Sequence, residues 1–212
     1  MQCQVILGTL LGDGTTSWVR NRRTLVPTAA RLRLRHSTKR QLAYCQWLHQ
    51  QLQPICIGQV LIRKTPKAFG KELASFNTLS HPFILEQALK LYAPTKTVTR
   101  EYLDQLDDFG LAVWWMDDGS TNALATHSFT YPEQEIIQQY LLERWGVETE
   151  ITQHKKRQMW YIRFLHPQQM HRIVMPHVIP SLQYKFGGYP DANGQRRPRK
   201  RRSQQPAEAF LG

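Results

Sequence analysis

Apolar and polar positions in the first hundred residues predict a series of alternating helices and strands. The segment VILGTLLGDG predicts a helix ending at glycine, and the alternation in ARLRLRHS is typical of a strand. After His36-Ser37, apolar residues recur at helical spacing until Pro54, which ends that helix. IGQVLIRK and ASFNTL predict two more strands, His81-Pro82 opens a third helix, and a loop containing Lys96 follows.

The rest of the chain repeats this order. LAVWWMDDG predicts a helix, LATHSF a strand, EQEIIQQYLLERWG a helix, EITQH and MWYIRFL two strands, and a last helix opens at His166-Pro167 before Lys185. In both series His-Ser precedes the second helix and His-Pro opens the third. We therefore predict an internal repeat of helix-strand-strand-helix-strand-strand-helix, joined near residues 95–106, with halves at 1–100 and 101–190.

Residues 191–212 break all periodicity and include the basic run RRPRKRR. We expect this tail to be disordered, and its charges either bind phosphate or are simply solvated. The whole chain has 28 basic and 16 acidic residues, a formal charge of +12, which favours a polyanionic partner such as nucleic acid.

Three cysteines without CxxC spacing indicate neither a disulfide framework nor a structural zinc site. No apolar run reaches membrane-spanning length, so we expect no membrane partner and a reducing compartment. Because Arg outnumbers Lys and Asn is scarce, a bacterial cytoplasm is favoured over an organelle.

Two aspartates hold matching positions in the repeat. Asp13 and Asp118 each end an apolar helix, immediately before a glycine. A carboxylate there faces the negative end of the helix dipole and costs roughly 0.3–1 kcal/mol, which a divalent metal ion would reverse. An Asp-Gly turn explains one such position, but two equivalent ones favour a metal-ion hydrolase of phosphodiesters.

The same two helices carry compact residues four apart, Gly8 and Gly12 in the first and Val113 and Asp117 in the second. Residues four apart share one helix face, so this spacing predicts that the two helices pack against each other. Glycine allows a close approach, whereas Val113 predicts a slightly wider one. Trp114 and Trp115 are expected in the core.

The segments ILGTLLGDG and LAVWWMDDG resemble the two LAGLIDADG motifs of homing endonucleases. The likeness is closest to the single-chain, two-motif subgroup that contains the yeast mitochondrial omega-intron endonuclease, and it covers roughly residues 3–186, including LATHSFT and VIPSLQYK. It departs from the motif at Thr9 and Leu11. The resemblance implies an α+β fold with a duplicated αββαββα unit, two saddle-shaped antiparallel sheets and pseudo-two-fold symmetry.

The resemblance also implies the roles of several residues. Asp13 and Asp118 match the catalytic, metal-binding acids of the family, and the backbone carbonyls of Gly12 and Asp117 would complete the metal shell. The Asp117 side chain is expected to be structural. Lys96 and Lys185 match the active-site lysines that orient the nucleophilic water or stabilise charge on phosphorus, although ordinary exposed lysines remain the alternative.

Basic residues on or near the predicted strands are candidates for DNA contacts. Arg31, Arg33 and Arg35 recur at period two, so they line one face of a sheet, where Arg suits guanine edges and phosphates. The other candidates are Arg20, Arg22, Arg23, Arg63, Lys64, Lys67, Lys155, Lys156, Arg157 and Arg163.

The expected function is that of a monomeric, site-specific homing endonuclease that hydrolyses both strands of double-stranded DNA at a long asymmetric target and leaves short 3′ overhangs. Mg²⁺ is the expected cofactor; Mn²⁺ would substitute, and Ca²⁺ would support binding without cleavage. The alternatives are an RNA maturase that assists splicing of its own group I intron, and a non-catalytic DNA-binding regulator. Intein membership is disfavoured because no splicing segments are recognisable.

Overall fold

The computed structural model describes residues 1–64, 72–92, 95–154 and 158–187. Up to residue 91 the elements are α1 (Gln2–Leu11), β1 (Thr15–Arg20), β2 (Pro27–Ser37), α2 (Thr38–Gln51), β3 (Cys56–Lys64), β4 (Glu72–Thr78) and α3 (Pro82–Leu91). From residue 100 they are α4 (Arg100–Leu103), α5 (Asp108–Asp118), β5 (Ala123–Leu124), α6 (Tyr131–Trp145), β6 (Thr149–His154), β7 (Met159–Phe164) and α7 (Pro167–Val174). Short 3-10 helices lie at Gln53–Ile55, Met175–His177 and Pro180–Phe186.

The strands form two antiparallel sheets, one with the order β1-β2-β4-β3 and one with the order β5-β7-β6. The alternation predicted for β2 is confirmed, because Leu32 and Leu34 are buried whereas the arginines between them are exposed. The α+β fold class is confirmed. The division into halves at residues 1–100 and 101–190 stays a prediction.

The second series departs from the first where LATHSF was expected to form a strand. Only Ala123–Leu124 pairs with β7, and the rest of the segment turns away. The hydroxyl of Thr126 donates to the side chain of Gln134 on α6 at 2.5 Å and accepts the backbone N–H of Ile162 at 3.2 Å. A side chain thus replaces a ladder hydrogen bond there, so the strand prediction is wrong beyond Leu124.

The apolar core extends from the helices to the inner faces of both sheets. Trp114 and Trp115 on α5 are fully buried, which confirms that they are core residues. α6 begins at a capping box in which Thr130 and Glu133 satisfy each other's backbone N–H groups, and it ends at Gly146 in the left-handed conformation. In the part of the chain that the structure describes, no helix is both long and apolar enough to cross a bilayer.

Candidate active site

α1 and α5 pack closely because glycine faces bulkier residues across the contact. A Cβ atom added to Gly8 would lie 2.6 Å from the carbonyl oxygen of Gly110 and 2.7 Å from Cβ of Val113. A Cβ atom added to Gly12 would lie 2.5 Å from Cβ of Asp117. The structure therefore brings the four predicted interface residues together, and Gly8 leaves room for the side chain of Val113. The slightly wider approach expected at Val113 stays a prediction.

Polar contacts at both ends of this helix pair fix their relative direction. Near the start of α1, the side chain of Gln4 donates to the carbonyl of Gln105 at 2.9 Å and accepts the N–H of Asp107 at 3.1 Å. At the other end, the N–H of Asp13 donates to Oδ2 of Asp117 at 3.1 Å. The helices consequently run parallel and in register, and their C-terminal ends meet.

Asp13 and Asp118 lie at these two adjoining ends. Burial and the charge of Asp13 together raise the pKa of Asp118 to about 7, against the opposing charges of Lys96 and Lys185. Burial also raises the pKa of Asp13, an effect opposed by the charges of Lys185 and Lys96. Two carboxylates that resist ionisation beside two ammonium groups form a site that gains from binding a cation.

The side chain of Asp117 is buried between the helices and caps α1, because its Oδ2 accepts the N–H of Asp13. Burial and the neighbouring charges of Asp13 and Asp118 raise its pKa well above the ordinary value of 3.8. This placement agrees with the structural role expected for Asp117, although its second carboxyl oxygen has no hydrogen-bond partner among the described residues.

Lys96 and Lys185 hold equivalent positions at the two helix ends. The ammonium of Lys96 donates to the carbonyls of Leu11 and Gly12, at 2.6 and 3.2 Å, at the end of α1. The ammonium of Lys185 donates to the carbonyl of Met116 and, at 2.9 Å, to that of Asp117, at the end of α5.

Burial lowers the pKa of both lysines, and the site aspartates oppose that shift. As cations at helix C-termini they also satisfy otherwise unpaired carbonyls. The carbonyls predicted as metal ligands, Gly12 and Asp117, therefore each accept a lysine hydrogen bond, and each keeps a second lone pair.

The structure adds a residue that was not predicted for the site. Within the described residues, one group of possible metal ligands has its atoms within 4.8 Å of one another, and it consists of Asp13, His36 and Asp117. Nδ1 of His36 lies 3.7 Å from Oδ2 of Asp13. Burial and the charge of Lys185 together lower the pKa of His36 to about 4.

One face of the first sheet is strongly basic. Residues opposite one another in an antiparallel ladder share a face, and the register places Arg31, Arg33 and Arg35 of β2 on the same face as Arg63 of β3. We call these four residues the arginine face. They are exposed, and within the described ranges no acidic side chain pairs with them. Burial and the other three charges lower the pKa of Arg33, as expected for a cluster of like charge.

The remaining candidate DNA contacts differ in their surroundings. Arg22, Arg23 and Lys64 are exposed, whereas Arg20 donates to the carbonyl of Leu25 at 3.1 Å. Arg163 on β7 forms an ion pair with Glu150 on β6, which neutralises its charge. Lys67, Lys155, Lys156, Arg157 and the tail at 191–212 lie outside the described residues.

The sequence profile of the LAGLIDADG DNA endonuclease family matches residues 3–173. The chain is 27% identical over 204 residues to "Protein RecA" of Mycobacterium shimoidei, which covers 87% of this chain and 46% of that protein. It is 26% identical over 123 residues to "Probable intron-encoded DNA endonuclease 3" of Mycosarcoma maydis, covering 52% and 90%. It is 27% identical over 101 residues to "Cytochrome b mRNA maturase bI2" of Saccharomyces cerevisiae, covering 44% and 24%. The chain thus spans less than half the length of the RecA relative.

Solved structures with this fold include the homing endonuclease I-WcaI bound to its DNA recognition sequence. The TM-score is 0.70 at 18% identity, over 88% of this chain and 86% of that one. A variant of I-DmoI, in complex with its target DNA and in the presence of Mn, gives a TM-score of 0.51 at 12% identity, over 85% and 97%. At these identities the likeness shows the fold.

Proposed function

Because this chain belongs to the LAGLIDADG DNA endonuclease family, we propose that it is a metal-dependent endonuclease that cuts both strands of double-stranded DNA at a specific, asymmetric site. The observation that carries the proposal is the meeting of two parallel helix ends, which brings Asp13 and Asp118 together between Lys96 and Lys185. A purely structural helix pair gains nothing from two ionisable carboxylates whose pKa values its own packing raises.

The donor atoms at the helix ends fit a hard divalent cation. Carboxylate and carbonyl oxygens are the ligands that Mg²⁺, Mn²⁺ and Ca²⁺ prefer, and Asp13, Asp118 and the carbonyls of Gly12 and Asp117 supply them. Such an ion, when bound, stabilises charge on a phosphoryl oxygen and makes a water molecule more nucleophilic. We propose Mg²⁺ as the cofactor; the I-DmoI variant crystallised with Mn and DNA supports the use of a divalent ion by this fold.

The aspartates and the lysines have different roles in the proposed reaction. Asp13 and Asp118 would hold the cation at the helix ends, and the packing of α1 on α5 sets the spacing of these two carboxylates. Lys96 and Lys185 hold positive charge at the same place, where it would orient a water molecule or stabilise the pentavalent phosphorus of the transition state. Their hydrogen bonds to the helix-end carbonyls keep the ammonium groups from swinging into solvent.

The arginine face supports binding of DNA by the first sheet. Its four guanidinium groups are exposed, have no acidic partner in the part of the chain that the structure describes, and match the acceptors of phosphates and of guanine in the major groove. The second sheet offers a different surface, because Arg163 is paired with Glu150 and its ladder neighbours on the same face include Thr152, Tyr161 and Met159. Two unlike sheets suit a target whose half-sites differ in sequence.

We further propose a monomer that leaves short 3′ overhangs and acts in a bacterial cytoplasm.

The proposal is tested by incubating the full chain with a plasmid library of random inserts in Mg²⁺ and sequencing the ends that form. We expect linearised plasmids that share one long motif, no cutting in EDTA, and retention of the selected DNA without cutting in Ca²⁺. Fragments without a common motif, or equal cutting in EDTA, would overturn the proposal.

Salt dependence tests the arginine face as the contact surface. A triple change of Arg31, Arg33 and Arg35 to Gln removes up to three phosphate contacts, so the slope of log Kd against log salt concentration should become shallower by about 2–3. The matched control is Lys90→Gln with Arg100→Gln, which removes charges already paired with Glu86 and Asp104. We expect the control to keep the wild-type slope. A wild-type affinity that hardly changes between low and physiological salt contradicts the assignment.

An RNA maturase is the second candidate function, favoured by the similarity to the cytochrome b mRNA maturase over 44% of this chain. The same basic sheet could bind a structured intron. Splicing of a group I intron transcript, measured with and without the protein, distinguishes the maturase function from the endonuclease function. Accelerated splicing that persists in an Asp13→Asn, Asp118→Asn double variant would establish maturase activity separate from DNA cleavage.

A further inference from the structure

His36 is a buried histidine beside the ends of the two motif helices. It lies near the end of β2 on the same face as Leu32 and Leu34, and its side chain is fully buried. In the described part of the chain neither ring nitrogen has a hydrogen-bond partner. A buried polar group left unpaired costs about 1–3 kcal/mol, so its presence needs an explanation.

Oδ1 of Asp117 is also buried and makes no hydrogen bond of ordinary length among the described residues, although the nearby hydroxyl of Tyr44 interacts with this carboxyl group and opposes the rise in its pKa. One ring nitrogen of His36 and one carboxylate oxygen each of Asp13 and Asp117 all lie within 4.8 Å of one another. Two ligands of one ion, each bonded at about 2.0–2.2 Å, stand roughly 3–3.5 Å apart. The 3.7 Å between Nδ1 of His36 and Oδ2 of Asp13 needs little adjustment to match that spacing.

We propose that His36 is a direct ligand of the divalent ion held by Asp13, through Nδ1, with Oδ1 of Asp117 as a further donor. This inference rests on the proposed function, since it concerns the ion that Asp13 would bind there. It makes the ion site on the α1 side a mixed nitrogen and oxygen site, whereas an all-oxygen site suits Mg²⁺ best. Imidazole ligands favour Mn²⁺, Co²⁺ and Zn²⁺ relative to Mg²⁺ and Ca²⁺.

The repeat makes the two ion positions unequal. The residue that corresponds to His36 in the second series is His127, which is half-buried and lies against the ring of Tyr161, with 5.6 Å between ring centroids. His127 does not belong to the ligand group of Asp13, His36 and Asp117. The described residues therefore place a histidine in a ligand group with Asp13, on the α1 side of the site.

Electron spin echo envelope modulation of Mn²⁺ bound to the full-length chain tests directly whether His36 coordinates the ion. A coordinated imidazole gives a nitrogen signal that oxygen ligands do not give. We expect a ¹⁴N signal at substoichiometric Mn²⁺ that changes to ¹⁵N when the wild-type chain is grown with ¹⁵N-histidine. That arm needs no substitution, so it does not depend on a variant that folds. His36→Gln should abolish the signal and weaken Mn²⁺ binding by at least about 10-fold, while the matched His127→Gln should keep both.

The outcomes separate this inference from the proposed function. Mn²⁺ that is lost in Asp13→Asn but shows no nitrogen coupling in the wild type overturns the role of His36 and leaves the metal-dependent nuclease standing. A nitrogen signal that survives His36→Gln also overturns it. Mn²⁺ binding unaffected by Asp13→Asn overturns both the ligand assignment and the proposed metal site.

Discussion

Asp13→Asn and Asp118→Asn should each abolish double-strand cleavage. Each change removes one carboxylate from the adjoining helix ends, so the ions lose a ligand that carries charge, and the cleavage rate should fall by about 10³-fold, equivalent to roughly 4 kcal/mol of transition-state stabilisation. The measurement is conversion of supercoiled target plasmid to linear product in Mg²⁺. Binding in Ca²⁺ should remain, because the arginine face supplies it independently.

The loss of cleavage must result from the missing carboxylate and not from misfolding. The raised pKa of Asp118 provides a check, because it predicts how the substitution changes the stability of the fold. The pKa of Asp118 is about 7 in the fold, compared with an ordinary value of 3.8. The unfolded chain therefore releases this proton first as the pH rises, and the carboxyl lowers the stability of the metal-free fold increasingly through pH 7. Without metal at pH 8, Asp118→Asn should melt at the same temperature as the wild type or higher.

Asp108→Asn is the matched control, since Asp108 lies at the opposite end of α5 and pairs with His177 at the surface. It should cut at the wild-type rate. Undiminished linear product from Asp13→Asn or Asp118→Asn would contradict their assignment as catalytic acids, and inactive variants with a lower melting temperature would point to misfolding instead.

Much of this fold could be predicted from sequence because its signals are local. The alternation of β2 determines which face is buried, and glycine ends the first motif helix at the expected place. The strand expected at LATHSF fails because the outcome there depends on Thr126, whose hydroxyl donates to Gln134 on α6 and accepts the N–H of Ile162, which is distant in sequence on β7. Period and propensity do not contain that long-range contact.

Part of the candidate site could also be predicted from the sequence, where the signals are local or repeated. The repeat pointed to Asp13 and Asp118 and also marked Lys96 and Lys185, whereas the role of the two lysines came only from the resemblance, because their contacts span more than 60 residues of sequence. His36 was noticed only as a marker of the repeat. A signal was available: the alternation that buries Leu32 and Leu34 also places His36 on the inner face, where a histidine needs a partner.

Gly8→Ala should destabilise the protein, although helix propensity alone predicts the opposite. Alanine is favoured over glycine in a helix interior by about 0.8–1.0 kcal/mol. At Gly8, however, the new Cβ would lie 2.6 Å from the carbonyl oxygen of Gly110, a backbone atom that moves only if α1 and α5 separate. Overpacking of this kind costs about 1–3 kcal/mol, which should lower the melting temperature by roughly 3–10 °C.

The activity of Gly8→Ala separates geometry from chemistry, because Gly8 has no side chain to take part in the reaction and lies more than one helical turn before Asp13, although its carbonyl accepts the N–H of Gly12 within α1. If the packing of α1 on α5 sets the spacing of Asp13 and Asp118, a shift of about 1 Å should lower the cleavage rate by about 10²-fold at a temperature where the variant is still folded. Ala43→Gly, on the exposed face of α2, measures the propensity effect alone and should leave cleavage unchanged. If Gly8→Ala melts higher than the wild type and cuts normally, the close helix contact does not position the two acids.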